Sequence, residues 1–96
     1  MPPVGTKKAS LVLRLYVAGN APNSVRAISN AQAVCDAHFA SHYELEIVDL
    51  LEHPQRALTD GVIVTPTLIR LLPLPIQKVI GTLGDTERLL LALVSS

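Results

Sequence analysis

The chain has 96 residues, 49% of them hydrophobic and 17% charged, and its eight Lys and Arg balance eight Asp and Glu. That suits one small domain with one core, and the absent net charge gives no electrostatic case for nucleic acid or a membrane surface. A single cysteine excludes an internal disulfide and a CxxC redox pair, and no apolar run reaches the roughly 18 residues that span a bilayer, so the cytoplasm is the expected compartment.

Residues 1–10 are rich in Pro, Gly and Lys and read as a flexible lead-in to a single domain over residues 11–96. Leu11 to Val17 alternates, with Leu11, Leu13, Leu15 and Val17 on one face and Val12, Arg14 and Tyr16 on the other. Both faces are mostly apolar, as in an interior strand. Ala18 to Ser24 is a turn that offers several helix starts: Pro22 at the first helical position, or Asn23 or Ser24 as the cap. Val25, Ile28, Ala31, Val34, Cys35 and Phe39 then fall on one helical stripe, with Arg26, Asn30 and Asp36 outside it.

Tyr43 to Leu50 alternates again, with Leu45 and Ile47 inward and Glu44 and Glu46 outward. Strand, helix and strand make a βαβ unit with parallel strands. Glu52 to Gly61 reads as a short helix, with Pro54 in its first turn and Gly61 as its left-handed exit. Near the C-terminus, Asp85 or Thr86 can cap a last helix whose apolar face is Leu89, Leu90 and Leu93.

The stretch from Val62 to Gly81 has two readings. A proline inside the run Val62 to Ile69 forfeits a ladder hydrogen bond, which points to an edge, a bulge or a cis turn at Pro66, followed by two strands joined at Pro73-Leu74-Pro75. Equally, Thr65 and Pro66 can cap and start a helix over Thr67 to Leu72 that Pro73 ends, and Leu89 to Val94 can pair as a strand. Periodicity does not arbitrate between such short apolar runs. On the first reading the order is βαβαββα, and Thr65-Pro66-Thr67-Leu68 resembles the cis-proline segment before the third strand of thioredoxin-like domains. Where those domains carry their redox cysteines, this chain has Asn20-Ala21-Pro22-Asn23.

Several segments together resemble the KaiB family: Leu15 to Asn20, Pro22 to Ala27, Val48-Asp49-Leu50 with Pro54-Gln55, Thr65 to Leu68, and Leu72 to Pro75 running into Val79-Ile80-Gly81. The resemblance covers about Leu11 to Leu93. It implies a non-enzymatic regulator without metal or cofactor that docks on a hexameric, RecA-type KaiC-like ATPase and modulates clock or stress signalling. A KaiA-like protein or a histidine kinase is a further partner, and a dimer or tetramer the expected assembly. The related sensor domain of KaiC-interacting histidine kinases is the alternative. The resemblance also implies metamorphism between a thioredoxin-like state and a ground state with Thr67 to Leu72 helical.

The docking surface it implies includes Tyr43, Glu44 and Glu46 on the second strand, with Arg26 on the exposed side of the first helix. Glu46 and Gly61 stand where cyanobacterial members tend to carry Lys, and Gln77 where they carry Arg. Three lost positive charges can redirect partner choice, which points toward a stress-response or non-clock KaiC. The fold-determining positions are Thr65, Pro66, Pro73, Pro75 and Ala92. Cyanobacterial members carry Gly where this chain has Ala92, and Ala favours a helix by about 1 kcal/mol, so the thioredoxin-like state is expected to predominate.

The remaining chemistry-bearing residues have plain readings. Cys35 lies on the buried stripe, and is a core residue before it is a redox sensor. His38 and His42 have the spacing of a helical metal pair but lack a third ligand, so a solvated helix end is expected. Asp49 and Glu52 lack a nucleophile or an electrophile beside them, and read as a polar strand end.

Overall fold

The computed structural model describes residues 11–95. Its elements are β1 (Leu11–Val17), α1 (Pro22–His38), β2 (Tyr43–Asp49), α2 (Pro54–Thr59), β3 (Thr67–Leu72), β4 (Gln77–Ile80) and α3 (Thr86–Val94). The expected lead-in over residues 1–10 lies outside the described residues.

The strands form one sheet in the order β2-β1-β3-β4. β1 and β2 run parallel, as the intervening α1 requires, and β3 runs antiparallel to both β1 and β4. Strands on both sides pair the edges of β1, α1 and α3 cover its Leu11 to Val17 face, and α2 covers the Tyr16 end of the other face, where Val12 and Arg14 stay half-buried. Leu11, Leu13, Leu15 and Val17 meet Ala27, Ala31, Val34 and Cys35 of α1, Leu68 of β3, and Leu89 and Leu93 of α3. Tyr16, on the opposite face, joins Val48, Ile69, Val62 and Ala57 of α2 in a second, smaller core.

The chain's start and stop signals act as read, with one choice resolved in each case. Pro22 takes the first position of α1, and Ser24 is buried instead of capping, its Oγ accepting from the Ala18 amide at 3.0 Å. Pro54 starts α2, and Gly61 leaves it at φ 69°. Asp85 caps α3 by accepting from the Arg88 amide at 3.1 Å.

Two stripe assignments need correction. Val25 is 51% exposed, because the buried face of α1 runs through Ser24, Ala27, Ala31, Val34 and Cys35 and Val25 falls beside it. On β2, Ile47 is 39% exposed and Val48 is the buried residue, because α2 covers the opposite face at that end of the strand.

From Val62 to Gly81, the strand reading is the one observed. Residues 67–72 form β3 in the sheet and residues 86–94 form α3. The peptide bonds before Pro66, Pro73 and Pro75 are all cis. Thr67 is buried, and its hydroxyl donates to the Val64 carbonyl at 2.6 Å, closing the turn into β3.

Candidate functional site

Among the described residues β2 is an outer strand, so one row of its backbone amides and carbonyls has no described strand beside it. Of the predicted partner-binding residues, Tyr43, Glu44 and Glu46 share this strand, while Arg26 sits apart on the exposed first turns of α1. Tyr43 points to the α1 side, half-buried against the core, and its hydroxyl donates to Asp36 Oδ1 at 2.5 Å. That bond to Asp36, with partial burial, pushes the phenol up to about 12, because ionising it would set two anions side by side. Glu44 is exposed on the other face.

Glu46 is engaged in a polar network. The parallel register places it beside Arg14, whose Nε donates to Glu46 Oε1 at 2.9 Å. From α2, Arg56 grips the same carboxylate with both arms, Nη1 to Oε2 and Nη2 to Oε1, each at 2.7 Å. Arg14 Nη1 continues the chain to Asp60 Oδ2 at 2.9 Å. Tyr16 completes it, with its hydroxyl 2.5 Å from the same Asp60 oxygen and 2.9 Å from the Arg56 carbonyl.

Hydrogen bonds from Arg56 and then Arg14 hold the Glu46 carboxyl down at about 2. Asp60 also falls below the ordinary carboxylate range: burial pushes it up, but the Tyr16 hydroxyl and the Arg14 guanidinium together outweigh this. Two guanidinium groups therefore face two carboxylates, and the network is neutral as a unit. Lys78 flanks it from β4, with Nζ 2.8 Å from the Asp60 carbonyl oxygen. Beside the network, Val12, Glu44, Leu45 and Leu71 line an open depression on the sheet face that α2 leaves uncovered.

Glu46 is legible in the sequence as an outward residue of β2, but not all of its company is. Arg14 between apolar neighbours on an interior strand was the available signal, since a buried-strand cation needs an anion in register. Arg56 and Asp60 give no comparable signal, because only the docking of α2 brings Arg56 to Glu46 of β2 and Asp60 to Arg14 and Tyr16 of β1.

Cys35 is 1% exposed, and burial, with the Asp36 charge beside it, pushes its thiol up to about 11, so almost none is thiolate near neutral pH. α1 ends at His38, which leaves His42 beyond the helix and off the face that an i, i+4 metal pair needs. Asp49 Oδ1 accepts from the Gly19 amide at 3.1 Å and the Leu51 amide at 3.0 Å, fastening the ends of β1 and β2. No helix among the described residues is long and apolar enough to cross a membrane.

The family model for the KaiB domain matches residues 14–94. The chain belongs to the KaiB family. It is 43% identical over 90 residues to the circadian clock oscillator protein KaiB of Gloeothece citriformis, covering 94% of this chain and 85% of that one. To the KaiB of Nostoc punctiforme it is 46% identical over 86 residues, covering 90% and 83%. Among solved structures, the N-terminal domain of Synechococcus elongatus SasA superposes with a TM-score of 0.75 at 24% identity, covering 100% of this chain and 93% of that one. Mitochondrial thioredoxin 3 of Saccharomyces cerevisiae gives 0.72 at 16% identity, covering 91% and 79%. These two likenesses establish that the KaiB-family chain has the thioredoxin-like fold expected from its element order.

Proposed function

We propose that this KaiB-family chain is a cytoplasmic, non-enzymatic regulator of a clock or stress-signalling system, and that it acts by docking on a hexameric KaiC-type ATPase. The observation that carries this reading is the identity of 43% and 46% to proteins named as clock oscillator components, sustained over nine-tenths or more of the chain. The β2 edge supplies a means. Its open backbone row can add a strand or seat a loop, with Tyr43 and Glu44 offered beside it and Glu46 held by Arg14 and Arg56 in a network that Asp60 makes neutral. Arg26 adds a cation from α1. Self-association as a dimer or tetramer and recruitment of a KaiA-like protein belong to the same proposal.

The second reading is a sensor domain of a KaiC-interacting histidine kinase. The lower identity to the SasA domain, 24% against 43%, favours the free-standing regulator.

Size-exclusion chromatography with the KaiC-like ATPase of the same organism, after overnight incubation with ATP or with ADP, tests the proposal. Co-elution in at least one nucleotide state is the expected outcome. Separate elution in both states contradicts it.

A further inference from the structure

α3 is nine residues long, shorter than a helix needs to persist alone in water, and it buries two leucines, Leu89 and Leu93. Its third fastening is a cation. Arg70, in β3, is 1% exposed and heads the fully buried side chains by size. Its Nη1 donates to the Ala92 carbonyl at 2.9 Å and also to the Ser95 carbonyl, and its Nη2 donates to the Pro75 carbonyl at 2.8 Å.

None of these partners is a carboxylate. Among the described residues the charge is met by carbonyls at the C-terminal end of α3, where the helix dipole is negative, and by one from the β3–β4 turn. Arg70 Nε is buried with no hydrogen-bond partner among the described residues. A guanidinium held this way is a costly choice for a core position flanked by Leu68, Ile69 and Leu71, where an apolar side chain would pack without desolvating a charge. What an apolar residue lacks is dependence on one arrangement of the chain. The three carbonyls converge only while residues 67–72 are extended, α3 is helical to its last turn, and the turn through Pro75 is in place.

We infer that Arg70 is a latch selective for this arrangement. It fastens the end of α3 and the β3–β4 turn to the sheet, and it disfavours the competing assignment, legible in the sequence, in which Thr67 to Leu72 is helical and Leu89 to Val94 extended. In that assignment the acceptors diverge and the cation is stranded. Opening the latch frees α3 and uncovers Leu68, Leu89 and Leu93.

Native-state amide hydrogen exchange of the Arg70→Met variant tests the latch. Loss of hydrogen bonds to a charged group is expected to speed exchange at Leu93, Val94 and Ser95 by about tenfold or more, while Leu13 and Leu15 of β1 change by less than about twofold. Should Arg70→Met not fold, Arg70→Lys keeps the charge but lacks the fork that reaches three carbonyls, and the same selective acceleration is expected. In either variant, acceleration by one common factor throughout the chain, or none at α3, overturns the inference.

Discussion

Glu46 and Arg56 meet in a two-armed ion pair, 2.7 Å on each arm, that ties the outer strand β2 to the helix α2 lying over the sheet. Arg14 shares the same carboxylate from β1. The pair is half exposed, so solvent screens it, and its value lies more in fixing α2 against the strand edge than in stability. Glu46→Gln is expected to lower the melting temperature by no more than about 5 °C near neutral pH.

The pH dependence of that difference has a definite sign. The folded Glu46 carboxyl is depressed to about 2, so its stabilising effect is full above the unfolded value of 4.5 and is lost as pH falls toward 2. The melting-temperature gap between wild type and Glu46→Gln should be constant above about pH 5 and close progressively below it. A gap that widens in acid would contradict the network as described.

Cys35 should be inert in the folded protein. With the thiol pushed up to about 11 and its side chain in the core, alkylation at pH 7.5 is expected to be far slower than in urea, where the thiol is free. Timed labelling with iodoacetamide followed by mass measurement checks this. Rapid native labelling would return the thiol to consideration as a functional group.

Among the described residues, two that are not glycine have left-handed backbones, and they predict opposite outcomes. Ala40, at φ 47°, is exposed just past α1, with its amide on the Cys35 carbonyl at 3.1 Å. Ala40→Gly relieves strain and should stabilise the chain by up to about 1 kcal/mol, part of the relief being offset by glycine's unfolded-state entropy. Leu83, at φ 64°, is 6% exposed in the main core. Leu83→Gly therefore loses more in packing than it gains in backbone freedom, with a net loss of roughly 1–4 kcal/mol. Urea denaturation of both variants separates the cases.

Ala92 lies inside α3, where glycine would weaken the helix by about 1 kcal/mol. Ala92→Gly is expected to shift backbone chemical shifts of residues 86–94 toward coil values, with β1 and β2 unchanged. An unaltered α3 would show that packing alone, rather than helix propensity, decides that segment.

Much of the fold was legible because local signals agreed with one another. The alternation of Leu11 to Val17, the helical stripe ending at Phe39 and the second alternating run specify a βαβ unit, and proline, glycine and Asp85 mark the ends of the helices. The segments after Val62 were ambiguous because runs of six to nine apolar residues satisfy either period. Tertiary partners settled them: β1 offers Thr67 to Leu72 an open edge, and Arg70 requires the carbonyls that only a helical α3 presents.

The candidate site was legible in part. Tyr43, Glu44 and Glu46 could be placed on one strand, and that strand is at the sheet edge. Arg14 beside Glu46 follows once β1 and β2 are in register, but the two-armed grip of Arg56 does not, since Arg56 reaches Glu46 only across the fold. Arg70 stood in plain view inside Thr67 to Leu72, yet a lone cation in an apolar strand does not announce which backbone it will bind.

Hydrogen-exchange footprinting of the chain bound to the KaiC-like ATPase of its own organism tests the central claim most directly. Docking at the sheet edge predicts protection concentrated in Tyr43 to Asp49, with α3 unchanged. A complex that protects other segments and leaves β2 exchanging as in the free chain would contradict the account, as would the absence of any complex.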